Sequence, residues 1–221
     1  QTCALPISRL AMKLASLQPD LLLTYNWGAF DAVVAGLMAR VPTLHHEETI
    51  HAEERPASPL RRRFARRSVL PRIAGVIVPS ADLSRRAVTE WCVAGERLHV
   101  LPNGADLARF RSRPDAARCR QALGLPADAT VIGWLGHMRP EKAPLRFVEM
   151  LQHLPNSVFG LMVGDGEMRP AVESALLALG LQRRVFLTGH VAEPEDLVGA
   201  MSIYCSTSDS EQMPIATLEA M

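Results

Sequence analysis

Cysteine is scarce and scattered in this sequence of 221 residues: Cys3, Cys92, Cys119 and Cys205 form neither a CxxC pair nor a compact Cys/His cluster. That spacing excludes a zinc ribbon and a disulfide framework, and it fits a reducing cytosol. No apolar run approaches the roughly 20 residues needed to span a bilayer, and no charged-then-apolar leader opens the chain. The chain therefore reads as soluble and cytoplasmic. Charge of one sign is also missing, since 24 Lys and Arg stand against 23 Asp and Glu for a net charge of +1. No global field advertises a polyanion, and nucleic acid is not an expected partner. Low-complexity tracts and repeats of solenoid length are absent. The first half has no GxGxxG after a strand, which disfavours a nicotinamide-binding protein.

What is present is ordinary for a globular protein: 48% hydrophobic and 21% charged residues. The length accommodates one large domain or two small ones. Both ends look unnatural. Gln1 to Ser8 (QTCALPIS) has no initiator Met and no periodicity and reads as a translated adapter scar, so it is left out of the fold reading. The chain stops at Met221 inside an expected helix with no C-cap, which predicts a piece of a longer protein.

Short apolar runs alternate with amphipathic stretches, the pattern of βα units around parallel sheets. Strands are predicted over 20–24, 43–46, 75–79, 98–101, 131–135, 157–163, 185–188 and 202–205. In 142–154 the apolar residues Leu145, Val148, Leu151 and Leu154 recur, and in 171–179 Val172, Ala175, Leu176 and Leu179 make one stripe. Both segments are expected to be half-buried helices. The turn-rich, charged segment 102–114 (PNGADLARFRSRP) separates two runs of βα units, which predicts domains over 9–113 and 114–221.

Three segments carry candidate chemistry. In Gly136 to Lys142 (GHMRPEK), a glycine closes a strand, and Arg139 and Lys142 flank the start of the next helix. From that positive end both cations can address one anion, in outline a diphosphate clamp. The same two residues also suit a plain role as solvated charges beside a Pro-initiated helix. In Val163 to Gly166 (VGDG), Gly164 and Gly166 end a strand and leave the carboxyl edge of a sheet open to a ligand, although such turns are common for structural reasons alone. In Ser208 to Met221 (SDSEQMPIATLEAM), Pro214 suits a first helical turn, which puts Glu211 in the preceding loop and Glu219 within the helix. Carboxylates accept two hydrogen bonds in fixed geometry and so suit sugar and ribose hydroxyls.

In the first half, Val41 to Glu48 (VPTLHHEE) ends a strand with two histidines and two glutamates. The spacing of His45, His46, Glu47, Glu48 and His51 matches no standard metal-ligand set, so no metal is expected. Which histidine is accessible is left open, as is a bland packing role for both. The run Arg61, Arg62, Arg63, Arg66, Arg67 and Arg72 falls in a predicted helix. It is read first as a solvated or internally paired face and secondly as a surface for anionic lipid. Trp27, Trp91 and Trp134 are read as packing residues.

The ordered set PNGADLARF, GHMRPEK, LMVGDGEMRP, VFLTGHV and SDSEQMPIATLEAM resembles the retaining glycosyltransferases of family 4, over nearly all of 21–221. The resemblance implies an α/β protein of GT-B type, with two Rossmann-like parallel-sheet domains facing a cleft, both incomplete here. It also implies transfer of a sugar from a nucleoside-diphosphate sugar to a hydroxyl acceptor with retention, in polysaccharide or glycolipid synthesis. Arg139 and Lys142 would neutralise the leaving diphosphate without a metal or other cofactor. Glu211 would contact the transferred sugar, Glu219 the ribose, and Gly136, Gly164 and Gly166 would line the donor. Gly189, His190 and Val191 would pass near the base through their backbone. His46, with Glu47 after it, resembles a His-Glu variant that helps position donor and acceptor. Gln212 departs from the glycine that many members carry after the first glutamate, a difference at the expected phosphate or sugar contact. A glycan or lipid-linked acceptor and peripheral contact with the inner membrane face are expected partners. The rival readings are a nucleotide-sugar epimerase of the same architecture and a non-catalytic membrane-surface binding protein.

Overall fold

The computed structural model describes residues 6–48, 60–111, 116–126 and 128–221. The chain divides into two compact units, Gln1–Asn103 and Gly104–Met221. The division falls ten residues ahead of the expected 113/114 boundary. The short helix α5 (Leu107–Arg111) goes with the second unit because Phe110 is buried there and Arg109 is tied to Glu195.

In the first unit, α1 (Ile7–Leu17) is followed by β1 (Leu22–Tyr25), α2 (Phe30–Met38), β2 (Thr43–His46), α3 (Leu60–Val69), β3 (Gly75–Val78), α4 (Ala81–Thr89) and β4 (Leu98–Val100). The strands pair in parallel in the order β1-β2-β3-β4. The apolar faces of α2 and α4 supply Phe30, Val33, Leu83 and Ala87, which close with Val76, Val78, Leu70 and Trp91 into one core. Ser80 caps α4, its Oγ accepting from the Leu83 amide at 3.2 Å. Ile7 and Ser8, set aside on sequence as part of a foreign scar, open α1; Ile7 packs with Leu10 beside Ala11 and Leu14. The stripe Ile7, Leu10, Ala11, Leu14 is a helical period that needs its first member to be seen.

The second unit continues with α5, α6 (Ala116–Ala122), β5 (Thr130–Leu135), α7 (Pro144–Gln152), β6 (Val158–Val163), α8 (Arg169–Ala178), β7 (Val185–Gly189), α9 (Glu195–Ala200), β8 (Ile203–Tyr204) and α10 (Ile215–Ala220). Its sheet is also parallel, in the order β7-β6-β5-β8. Strand β5 is buried over Val131–Trp134 because helices cover both of its faces, hence its continuous apolar reading. From α7, Phe147, Val148 and Leu151 pack with Met162, Val172 and Leu176. The strand order reverses at β5, whose neighbours are β6 on one side and β8 on the other. Loops leaving the carboxyl ends of β5 and β8 therefore diverge and open a crevice, the place where open α/β sheets receive ligands.

Candidate functional site

That switch point gathers most of the second-unit residues singled out above. After β5 the chain turns through Gly136 into Arg139, which caps a single 3-10 turn over Pro140–Lys142. Ala143 takes a left-handed conformation, φ 43°, before Pro144 starts α7. After β8 the loop returns over this turn. Thr207 Oγ1 accepts from Trp134 Nε1 at 3.2 Å and donates toward the carbonyls of Lys142 and Ala143 at 3.1 and 3.0 Å. Arg146 donates to the Thr207 carbonyl at 2.6 Å and to the Asp209 carboxylate at 2.7 Å, and the Asp209 amide donates to the Glu141 carbonyl. So clamped, the loop delivers Glu211 to Lys142, whose ammonium donates to the Glu211 carboxylate. Both side chains keep a quarter to a third of their surface open. Arg139 is 57% exposed and only 4.0 Å from Glu141, leaving its guanidinium largely in solvent.

The two glycine turns meet this loop backbone to backbone. A Cβ on Gly164, φ 133°, would fall 1.8 Å from the Gly136 carbonyl oxygen, and one on Gly166, φ 157°, would fall 2.6 Å from that of Met138. The Gly136 amide donates to Val163, the Met138 amide to Asp165, and the Gly164 amide to Gly189. Asp165 accepts from the Gly166 amide and pairs with Arg169 at 3.2 Å. The glycines thus stack three post-strand loops at one edge; that close packing is their direct structural role, and it brings Gly136, Gly164 and Gly166 together. At the same edge His190 is exposed, whereas Val191 packs against the core of Leu125, Val131 and Ala200.

Glu219 is in different company. It lies on α10, which packs against α9 and α5. Burial pushes the Glu219 carboxyl above its ordinary range; Arg109 opposes this and Glu195 adds to it. Arg109 itself grips Glu195 through two nitrogens at 2.7 and 2.8 Å. That hydrogen bond raises Arg109 and lowers Glu195. Lys142 and Glu211 are therefore in direct contact, while Glu219 belongs to a neighbouring set of charges on α5, α9 and α10. Sequence reasoning missed Thr207, Arg146 and Arg109. Arg146 had a signal, being four residues after Lys142; Arg109 and Glu195, 86 residues apart, had none.

In the first unit, strand alternation decides between the histidines. His45 is fully buried, hydrogen-bonded at Nδ1 to Thr24 at 2.9 Å and at Nε2 to Glu47 at 3.0 Å. Because a carboxylate only accepts, Nε2 is the donor in the bond to Glu47. Glu47 is not the companion of His46 expected from its place in the chain. It is completely buried and paired with Arg66 at 2.9 Å. Arg66 is equally buried between Trp27 and Trp91, its guanidinium carbon 5.0 and 5.2 Å from the ring centroids. The arginine run is accordingly mixed: Arg66 is internal, whereas Arg61, Arg63 and Arg67 are exposed. His46 turns to the other face, edge-on to Tyr25 at 5.4 Å and 3.7 Å from Glu48. Its Nε2 is buried with no hydrogen-bond partner among the described residues. His51 lies outside the described residues. Among those described, no group of three or more His, Cys, Asp or Glu is placed to share a metal ion, and no helix is long and apolar enough to cross a membrane.

Two parallel four-stranded sheets, one with a topological switch point lined by polar groups, define an α/β protein of GT-B type. Solved structures share this fold. Anabaena Alr3699/HepE, in complex with UDP and glucose, superposes with a TM-score of 0.79 at 22% identity, over 97% of this chain and 59% of that one. Residues 4–109 match the family model described as Glycosyltransferase Family 4, and 129–221 match Glycosyl transferases group 1. The chain belongs to glycosyltransferase family 4. It is 32% identical over 193 residues to the 2-deoxystreptamine N-acetyl-D-glucosaminyltransferase of Streptomyces fradiae, covering 83% of this chain and 42% of that protein. It is 30% identical over 141 residues to the UDP-Gal:alpha-D-GlcNAc-diphosphoundecaprenol alpha-1,3-galactosyltransferase of Escherichia coli, covering 60% and 36%. The chain thus spans less than half the length of these curated relatives.

Proposed function

We propose that the protein to which this chain belongs transfers a sugar from a nucleoside-diphosphate sugar to a hydroxyl acceptor with retention, in glycan or glycolipid synthesis at the cytoplasmic membrane face. The observation that carries this reading is the meeting of Lys142 and Glu211 at the switch point of the second sheet. A cation and a carboxylate held side by side suit the two ends of one donor: the ammonium attracts the diphosphate, and the carboxylate accepts from sugar hydroxyls. Arg139 adds a second cation on the same turn, and Glu219 accepts from the ribose. Gly136, Gly164 and Gly166 keep backbone low under the donor, and His190 and Val191 present main chain to the base.

As the glycosidic bond to the diphosphate breaks, negative charge grows on the leaving oxygen. Lys142 and Arg139 stabilise it there, so no metal is required. Glu211 orients the sugar, and departure on the face that the acceptor enters keeps the anomeric configuration. The relatives support the reading: the two named above are called glycosyltransferases, and the Anabaena protein holds UDP and glucose.

The test is to incubate the full-length enzyme with a panel of sugar nucleotides and acceptors and to read the anomeric coupling of the product by proton NMR. Acceptor-dependent product with the donor's configuration supports the proposal; an inverted product refutes retention. Release of an epimerised sugar nucleotide without acceptor refutes transfer.

A further inference from the structure

Thr207, in the loop after β8, is only 8% exposed, and its hydroxyl meets partners from two other parts of the second unit. One is Trp134 on β5, 2% exposed. An indole nitrogen only donates, so at 3.2 Å its Nε1–H points at Thr207 Oγ1 and leaves the hydroxyl hydrogen to go elsewhere. That hydrogen faces the carbonyls of Lys142 and Ala143, at 3.1 and 3.0 Å, and is shared between them. A hydroxyl that accepts while it donates is polarised in the direction of donation, which strengthens the second bond. Trp134 thus orders Thr207, and Thr207 holds two successive carbonyls of the turn that carries Lys142.

That turn is strained. Ala143 has φ 43° and ψ 54°, the left-handed region that is unfavourable for a residue with a Cβ. Pro144 follows it, and a proline ring disfavours the right-handed helical region for the residue before it. The relaxed state of Ala143 is therefore extended, far from its present one, and the change would carry Lys142 with it. The loop after β8 is fixed separately, by Arg146 on the Thr207 carbonyl and by the Asp209 amide on the Glu141 carbonyl. Loss of the hydroxyl alone would leave Glu211 in place and release only the Lys142 side of the pair.

We propose that Thr207 is a positioning residue for Lys142: ordered by Trp134, its hydroxyl holds Ala143 left-handed and so keeps the Lys142 ammonium where it meets Glu211 and the donor diphosphate. The effect on the donor rests on the glycosyltransferase reading; the hold on Ala143 does not.

Thr207→Val removes the hydroxyl with little change of shape, whereas Thr207→Ser keeps it. Both are compared in the full-length enzyme by calorimetric titration of UDP, with and without Lys142→Ala. Thr207→Val is expected to weaken UDP about fivefold, and Thr207→Ser to bind as the parent does. In the Lys142→Ala background Thr207→Val should add nothing, because a residue that acts through the ammonium has nothing left to act on. Ala143→Gly, which adopts the left-handed turn without strain, should restore affinity to Thr207→Val. The same fivefold loss with Lys142 already removed overturns the proposal. Parental affinity in Thr207→Val, where Lys142→Ala binds more weakly, overturns it too.

A second readout does not depend on UDP. In enzyme labelled with 13C and 15N at alanine, the Ala143 resonance is the one lost in Ala143→Gly. Its Cα and Cβ shifts and HN–Hα coupling report its backbone, and Thr207→Val should move it from left-handed toward extended. If Lys142→Ala leaves UDP affinity unchanged, the donor assignment falls and Ala143 alone decides: moved, the hold on the turn stands; unmoved, it falls. Should Thr207→Val melt well below the parent, Thr207→Val with Trp134→Phe, which leaves no indole donor without an acceptor, takes its place in every arm.

Discussion

The ammonium of Lys142 and the carboxylate of Glu211, 69 residues apart in sequence, form an ion pair between the loops that follow β5 and β8. Those strands are neighbours in the sheet and far apart along the chain, so the pair exists only because the strand order reverses at β5. Because both groups remain partly open to solvent, the pair adds little to stability, on the order of 1 kcal/mol or less. Lys142→Ala in the full-length enzyme should lower turnover by about a hundredfold or more. Its melting temperature should stay close to that of the parent. Steady-state kinetics beside a thermal melt checks this; unchanged turnover refutes the clamp.

Arg66 and Glu47 behave in the opposite way. Both are fully buried, and removing one leaves the other as an uncompensated charge. Arg66→Ala should cost about 3–5 kcal/mol in denaturant unfolding of the chain. Replacing both together, Glu47→Gln with Arg66→Met, should recover part of that loss. A surface-like effect of Arg66→Ala, under about 1 kcal/mol, would contradict the buried pairing.

Gly164 has no room for a side chain. Gly164→Ala would drive a methyl into the Gly136 carbonyl at a positive φ, so the stacked loops must separate. Amide exchange should quicken at Gly136, Met138 and Gly164, whose hydrogen bonds hold the stack, and UDP binding should weaken. Unchanged exchange at those amides would show that the loops do not depend on their close approach.

Burial holds the Glu219 carboxyl above its ordinary value of 4.5, Arg109 opposing and Glu195 reinforcing the shift. A carboxyl raised on folding contributes stability that is fully present below 4.5 and is lost as pH rises through the raised value. The proposed ribose contact needs the ionised form, which accepts two hydrogen bonds, so it runs the other way. UDP affinity should fall as pH drops toward the raised value, while still above the usual carboxylate range. Glu219→Gln should flatten that part of the profile. A Glu219→Gln variant with the parent's pH dependence would remove Glu219 from the ribose.

Most of the strands were legible because a parallel strand covered on both faces is a short continuous apolar run, as Val131–Trp134 and Gly160–Val163 show. The site was legible in part for a related reason: glycines and charges cluster just after those runs, where a sheet ends. What could not be read is long-range pairing of charge. Glu47 and Arg66 look like surface residues in a polar stretch, and only folding reveals that two tryptophans and a histidine enclose them. Arg109 gripping Glu195 is equally silent in sequence, yet it moves α5 into the second unit and shapes the surroundings of Glu219. Strand alternation could have separated His45 from His46, but it needed the register of β2 against β1 and β3.

Calorimetric titration of UDP into this chain and into its Lys142→Ala variant asks most directly whether the crevice between β5 and β8 is where a nucleoside diphosphate sits. The expected result is saturable binding by the parent and a loss of about tenfold or more, at least 1.4 kcal/mol, in the variant. Equal affinity in the two would contradict the assignment of that crevice to the donor.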